Sequence, residues 1–340
     1  MKRIMSIVVA VIATIGLFSC NKVESNASDE TILVPNSPLV TKAAGDKTPS
    51  ILCYIETNDV NPLNAGCCRL PNGDTFVDYV VLFAANIHKE TVSGIDRPTL
   101  YFNDKLYPIM LDSDLYIEPL QDDGQKVLLG VLGDWVGLGL SNMTTTQAEQ
   151  FATILAYVVE CKGLNGISFD DEYSGSNVVN NYSYSTIINK YRELRPNDII
   201  HVVDWGGTYS ISSTAAAKIN FAGHGYFSSS YYLSTSYSSI TGMNNARWSP
   251  ISLNLGSSYN STQLSSIQTK AASAYTDGYG QILLFNMRTC DELCHKPVMQ
   301  AIATGRSWGT LYCEERNEDL PDPIAGGYTV TYDMAINGCN

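Results

Sequence analysis

Eight nearly unbroken apolar runs punctuate the chain, at residues 51–56, 78–88, 126–134, 166–173, 199–205, 219–226, 248–256 and 281–288. Runs of this kind mark strands covered on both faces, as in parallel sheets. Stretches with the helical period lie between them. Phe151, Leu155 and Val158 follow a capping-box pair, Thr146 and Glu149. Ile187, Tyr191 and Leu194 repeat at i, i+4, i+7 before Pro196, and Leu264, Ile267, Ala271 and Ala274 do so before Gly278. The sixth connection, after Tyr226, is a Tyr- and Ser-rich stretch with no helical spacing. Eight strands with alternating helices match the roughly 250 residues of a (β/α)8 TIM barrel. A doubly wound sheet is disfavoured because no G-x-G-x-x-G follows the first run. The predicted fold is therefore α/β, a single barrel domain over residues 49–308.

Ahead of the barrel, Lys2 and Arg3 precede an apolar run from Ile7 to Phe18. That run falls short of the roughly 18 apolar residues of a spanning helix, so residues 1–19 read as a secretory signal. It ends in Leu17-Phe18-Ser19-Cys20, which resembles the bacterial lipobox. The resemblance implies lipidation at Cys20. Residues 21–48 are polar and aperiodic, so residues 20–48 read as the lipidated cysteine and a flexible tether. Glu24, Asp29 and Glu30 there are similar to the surface-export signal of Bacteroidetes lipoproteins, which implies an outer-membrane protein exposed at the cell surface.

Composition narrows the partners. Hydrophobic residues are 44% of the 340 and charged residues 16%, too apolar a mix for a disordered chain. The net charge of −13 argues against nucleic acid and against direct binding to anionic membranes, which leaves the lipid as the membrane link. Besides Cys20 there are eight cysteines, an even number that permits disulfides in an exported chain. Cys53 and Cys161 sit in apolar patterns and read as buried thiols, whereas Cys67, Cys68, Cys290, Cys294, Cys313 and Cys339 read as disulfide candidates. The four histidines show no ligand spacing with them, so no metal and no cofactor is expected. Residues 309–340 read as an irregular C-terminal extension, and the protein is expected to be a monomer.

The chemistry concentrates in Leu164-Asn165-Gly166-Ile167-Ser168-Phe169-Asp170-Asp171-Glu172-Tyr173. Alternation along a strand puts Ser168, Asp170 and Glu172 on one face and Ile167 and Phe169 on the other. With the apolar pair turned to the helices, Asp170 and Glu172 point to the barrel axis near its C-terminal mouth, where barrel active sites are built. Two inward carboxylates repel, which raises one pKa and provides an acid able to protonate a leaving oxygen near neutral pH.

In this segment the chain resembles glycoside hydrolase family 18, and within it the endo-β-N-acetylglucosaminidases of the H and F types. The family signature D-x-x-D-x-D-x-E ends the fourth strand. Residues 81–87, 127–133, 163–173, 248–250 and 285–286 are similar to family segments in the same order. The resemblance implies a glycosidase that cuts the β-1,4 bond of the GlcNAc-GlcNAc core of N-linked glycans by substrate-assisted, retaining catalysis through an oxazolinium. It assigns Glu172 as general acid and Asp170 as the residue orienting the acetamido group. Tyr226 is assigned to the acetamido carbonyl, and Asp171 is structural. Asn165 and Ser168 stand where the signature has Asp, and the loss of a charge at 168 should leave Asp170 easier to ionise. Around the mouth, Trp135 and Trp205 follow strands three and five as candidates for stacking on sugar rings, and Asn86, Asp134, Asp204 and Asn286 end strands as hydrogen-bonding candidates. His224 lies two residues before Tyr226 and is read on the same face, and Phe285 belongs to the pocket floor. Two further readings stay open: a glycan-binding lipoprotein without catalysis on the same scaffold, and a chitinase.

Overall fold

The computed structural model describes residues 47–133, 138–172, 180–205, 211–225, 227, 240–287, 295–314 and 319–339. Parallel strands run β1 (Ser50–Glu56), β2 (Tyr79–Val92), β3 (Lys126–Leu132), β4 (Gly166–Asp170), β5 (Ile199–Asp204), β6 (Phe221–His224), β7 (Trp248–Ser249 continued by Ser252–Asn254) and β8 (Gln281–Phe285). Each pairs with the next, β8 pairs back to β1, and β7 closes the circle through two halves interrupted at Pro250 and Ile251. This is the (β/α)8 barrel that the apolar runs predict.

The two faces of the strands feed two separate apolar clusters. Cys53, Leu129, Ile167, Phe169 and Val202 join helix residues such as Phe151, Leu155 and Ile187 in the larger outer core. Leu52, Tyr54, Val81, Leu128, Val203 and Leu283 form a smaller cluster inside the barrel. The alternation that sends Ile167 and Phe169 outward is the one read from the sequence.

The helix Thr145–Cys161 connects β3 to β4, Ser183–Leu194 connects β4 to β5, and Ser261–Thr276 connects β7 to β8. The first starts two residues earlier than predicted, since the capping box is Thr144 with Gln147 and not Thr146 with Glu149. Asn260 and Gln263 cap the last in the same way. In the sixth connection the described residues hold a 3-10 turn at Asn245–Arg247.

Three features were not legible in the apolar runs. The second strand continues past the barrel and turns at Ser93-Gly94, both at positive φ, into the antiparallel strand Ile95–Phe102. The C-terminal extension is ordered onto the barrel: Tyr328–Val330 pairs with Ile95–Phe102, and Tyr312–Cys313 pairs with Cys68–Arg69. Cys161 is bonded to Cys339 and Cys68 to Cys313, so Cys161 corrects the buried-thiol reading whereas Cys53 is a buried free thiol. Cys161 ends a helix beside the C-terminal helix Tyr332–Asn337, an arrangement that the apolar residues before it do not reveal. Cys290 and Cys294 lie outside the described residues, as does Cys20.

Candidate active site

The fourth strand ends at Asp170, with Asp171 and Glu172 just beyond it. The three acids meet different surroundings. Asp170 is 4% exposed, and the Trp205 indole Nε1–H donates to its Oδ1 at 2.6 Å. Burial drives its pKa up to about 7, which the Trp205 donor opposes and the charges of Glu172 and Asp171 reinforce. Repulsion between carboxylates is thus the smaller cause, and the raised group is Asp170. Glu172 is exposed at the mouth, close enough for its charge to act on Asp170. Asp171 turns away and accepts a hydrogen bond from Ser141.

Trp205 lies against β6 because position 225 is glycine. A Cβ on Gly225 would stand 2.6–2.8 Å from three atoms of the indole ring, closer than real Cβ contacts. The ring can therefore swing in beside Asp170, whereas the sequence reading had it stacking on sugars.

Below the carboxyls the interior is aromatic. The Tyr54, Phe83, Phe227 and Phe285 rings follow one another with centroids 5.1–6.4 Å apart, which places Phe285 in the floor of the site. Beneath this floor is one polar knot. Tyr54 OH and Ser168 Oγ are 2.9 Å apart, and His201 Nδ1 is 3.1 Å from the first and 3.0 Å from the second. Sequence reading missed Tyr54 and His201. The signal was available, because each is a polar-tipped residue flanked by apolar neighbours within its strand.

Asn165, the first departure from the signature, is a joint between strands: its Oδ1 accepts from Val127 N at 2.8 Å and from Gln121 Nε2 at 2.9 Å. Asn86 reaches the mouth through a register slip in β2 between Leu82 and Ala85. Val81 packs inside the barrel, but Ala85 and Ile87 pack in the outer core, so Asn86 falls on the inner phase. Asn286 donates from Nδ2 to Asn254 Oδ1 at 3.0 Å, which sets a pair of amides beside the mouth.

Two strand-end candidates are placed differently. Asp204 has no exposed surface, and it follows Val203 of the inner cluster, so period two turns it from the axis. His224 is also wholly buried, with Nδ1 3.2 Å from Ser252 Oγ between β6 and the second half of β7. Neither touches a sugar in this arrangement, since a strand end supplies a contact only from the exposed face. Asp134, Trp135 and Tyr226 lie outside the described residues.

A carboxyl held near neutral pKa by burial, beside a second carboxyl in solvent at the mouth of a (β/α)8 barrel, is the equipment of a glycosidase. The comparisons agree. An endo-β-N-acetylglucosaminidase from a Flavobacterium species is 30% identical over 269 residues, 76% of this chain and 82% of that protein. Endo-β-N-acetylglucosaminidase F1 of Elizabethkingia meningoseptica is 29% identical over 285 residues, 79% and 81% of the two chains. The Bacteroides thetaiotamicron EndoBT-3987 crystal structure with its Man9GlcNAc2Asn substrate superposes with TM-score 0.68 at 26% identity, over 82% of this chain and 70% of that one. No family model matches the chain. The chain belongs to the endo-β-N-acetylglucosaminidase family, glycosidases of the family 18 type.

Proposed function

We propose that the protein hydrolyses the β-1,4 bond between the two core N-acetylglucosamines of N-linked glycans by substrate-assisted catalysis. The carrying observation is the division of labour at the end of β4: Asp170 is buried and held by Trp205, and Glu172 is open at the mouth. The sugar's acetamido oxygen bonds to the anomeric carbon as the glycosidic C–O bond breaks, and Glu172 gives its proton to the leaving oxygen. Asp170 faces the acetamido N–H and accepts its hydrogen bond as positive charge develops there. Glu172, now a carboxylate, takes a proton from water as that water adds to the anomeric carbon, which restores the acetamido group and retains configuration. The aromatic floor of Phe83, Phe227 and Phe285 offers an apolar seat for the acetamido methyl. That EndoBT-3987 was crystallised with a Man5GlcNAc product and a Man9GlcNAc2Asn substrate supports an N-glycan as the substrate here. Tyr226 is proposed to complete the acetamido contacts.

Mass spectrometry of glycans released from glycoproteins tests the reading. Wild type frees glycans that keep one N-acetylglucosamine, and Glu172→Gln releases about a thousandfold less. A folded wild type that binds glycans and releases none sinks the reading in favour of a binding lipoprotein. Release of chitin fragments alone would favour a chitinase.

The protein is further proposed to be a monomer anchored through lipid at Cys20 to the outer membrane and exposed at the cell surface. The lipobox-like residues 17–20 support this, as do two disulfides that fit an oxidising compartment. The mass of the N-terminal peptide from membranes checks the anchor: Cys20 without acyl chains removes it.

A further inference from the structure

Outside the barrel, the C-terminal extension closes a cavity that the proposed reaction does not use. Its aromatic walls come from four segments far apart in sequence. Phe102 ends the hairpin strand Ile95–Phe102, Tyr107 belongs to the helix Leu106–Leu111, Tyr157 to the helix Thr145–Cys161 and Tyr328 to the strand Tyr328–Val330. The Cys161–Cys339 disulfide lies along one side. The helix Thr145–Cys161 starts after the end of β3 and finishes shortly before β4 begins at Gly166, so the cavity is at the end of the barrel opposite the mouth. Its volume is about 210 Å³. An apolar cavity of roughly 150 Å³ takes one benzene ring, so this one fits a ring with a single small substituent and excludes an oligosaccharide.

Charge decides the substituent. Lys162 follows the helix Thr145–Cys161 and lines the same cavity. Among the described residues its ammonium makes no ion pair and no side-chain hydrogen bond. Burial pulls its pKa down, and the charge of Asp112 opposes that from too far away to pair with it. No acidic side chain is among the described residues of the lining. A cation losing water at such a wall is stabilised by an anion in the cavity and by little else. The Tyr107 and Tyr328 rings stack at 4.9 Å, 9° from parallel, and offer a flat aromatic edge. Burial raises the pKa of Tyr328, and Tyr107 and Tyr157 reinforce the rise, so its O–H stays a donor for an anionic oxygen. One cation balances one negative charge.

We propose that this cavity is a binding site for a small aromatic monocarboxylate, with the ring among the aromatic walls and the carboxylate on the Lys162 ammonium. Size selects a single ring, the stacked tyrosines select an aromatic one, and Lys162 selects the acid over its neutral analogue. Because the walls belong to the hairpin, two helices and the C-terminal extension, an occupant ties that extension to the barrel.

Saturation-transfer NMR titrations with benzoate and with benzamide, its uncharged analogue of the same shape, test the site. No glycan enters the experiment, so its result stands apart from whether the protein cuts glycans. Benzoate binds wild type saturably with a dissociation constant of about 1 mM or below. Benzamide binds about fivefold to tenfold more weakly. Lys162→Met, folded by circular dichroism, brings benzoate down to the level of benzamide and leaves benzamide unchanged, whereas Lys162→Arg keeps the preference for the acid. Tyr107→Ala, checked for folding in the same way, weakens both probes, which separates this cavity from any other lysine on the surface. The proposal is overturned if benzoate shows no saturable binding, if wild type holds the two probes equally, if Lys162→Met leaves benzoate as tight as before, or if Tyr107→Ala changes neither probe.

Discussion

The two faces of β4 are both closed to water, yet burial does different work on each. On the outer face Ile167 and Phe169 enter a core with helix residues Phe151, Leu155 and Tyr184; the Phe169 and Tyr184 rings meet edge-on at 5.7 Å. Many apolar neighbours share that load and none has a counted partner. On the inner face Ser168 and Asp170 stand in a small cluster where each polar atom depends on one or two named groups. Packing stabilises the first face. On the second, the same exclusion of water lifts the pKa of Asp170 to about 7 and makes Trp205 and Gly225 matter.

Two substitutions one residue apart should therefore part company. Phe169→Ala empties a ring-sized volume on the outer face and should cost about 3–5 kcal/mol of stability, with kcat of the folded fraction close to wild type. Asp170→Asn should do the reverse, lowering kcat about a hundredfold because the amide no longer offers a negative charge to the acetamido nitrogen. Its effect on stability depends on pH. The folded pKa of Asp170 is raised above the ordinary 3.8, so both states are protonated below that value. As pH climbs from 4 to 7 the unfolded chain loses the proton first, and wild-type stability falls by as much as roughly 4 kcal/mol before levelling off above 7. Asp170→Asn lacks this loss. Urea unfolding of both proteins at pH 4 and pH 8 measures it, and parallel curves would mean that Asp170 is not a strained buried acid.

The outer face was the legible one. Eight unbroken apolar runs announce eight strands, and a period of two separates Ile167 and Phe169 from Ser168 and Asp170 without any structure. Errors arise where the answer depends on a second segment. The helix start shifted from Thr146 to Thr144 because Thr144-Thr145-Thr146-Gln147-Ala148-Glu149 holds two overlapping capping boxes, and the earlier one forms. Ser93-Gly94 was a readable hairpin turn, hidden by treating residues 78–88 as a complete strand. Asp204 was chosen for standing at a strand end, a criterion that ignores which face it occupies, and His224 was placed on the face of Tyr226, whereas it is wholly buried beside Ser252. His201 and Tyr54 would have emerged had the alternation applied to β4 been applied to β5 and β1. The indole bond to Asp170 was out of reach, since it depends on a glycine on a neighbouring strand.

That glycine supplies the smallest predicted effect and the most specific one. Gly225→Ala adds a single methyl with no charge and no polar atom, at a place where a Cβ meets Trp205 at 2.6–2.8 Å. The backbone of β6 is held there by Gly225 N donating to Asp204 O at 3.0 Å, so the freer partner is the indole. A shift of a few tenths of an ångström is enough to stretch and misalign the 2.6 Å bond from Nε1 to Asp170. Overpacking should cost about 1–2 kcal/mol of stability. With the donor weakened, ionised Asp170 is less favoured, so the acid limb of kcat moves to higher pH and kcat at pH 7 falls roughly fivefold. Trp205→Phe removes the same donor without the clash and should shift the acid limb in the same direction and at least as far. If Gly225→Ala loses stability while its acid limb stays with wild type, the indole is packing against β6 and nothing more, and the inner face loses the feature that most separates it from the outer one.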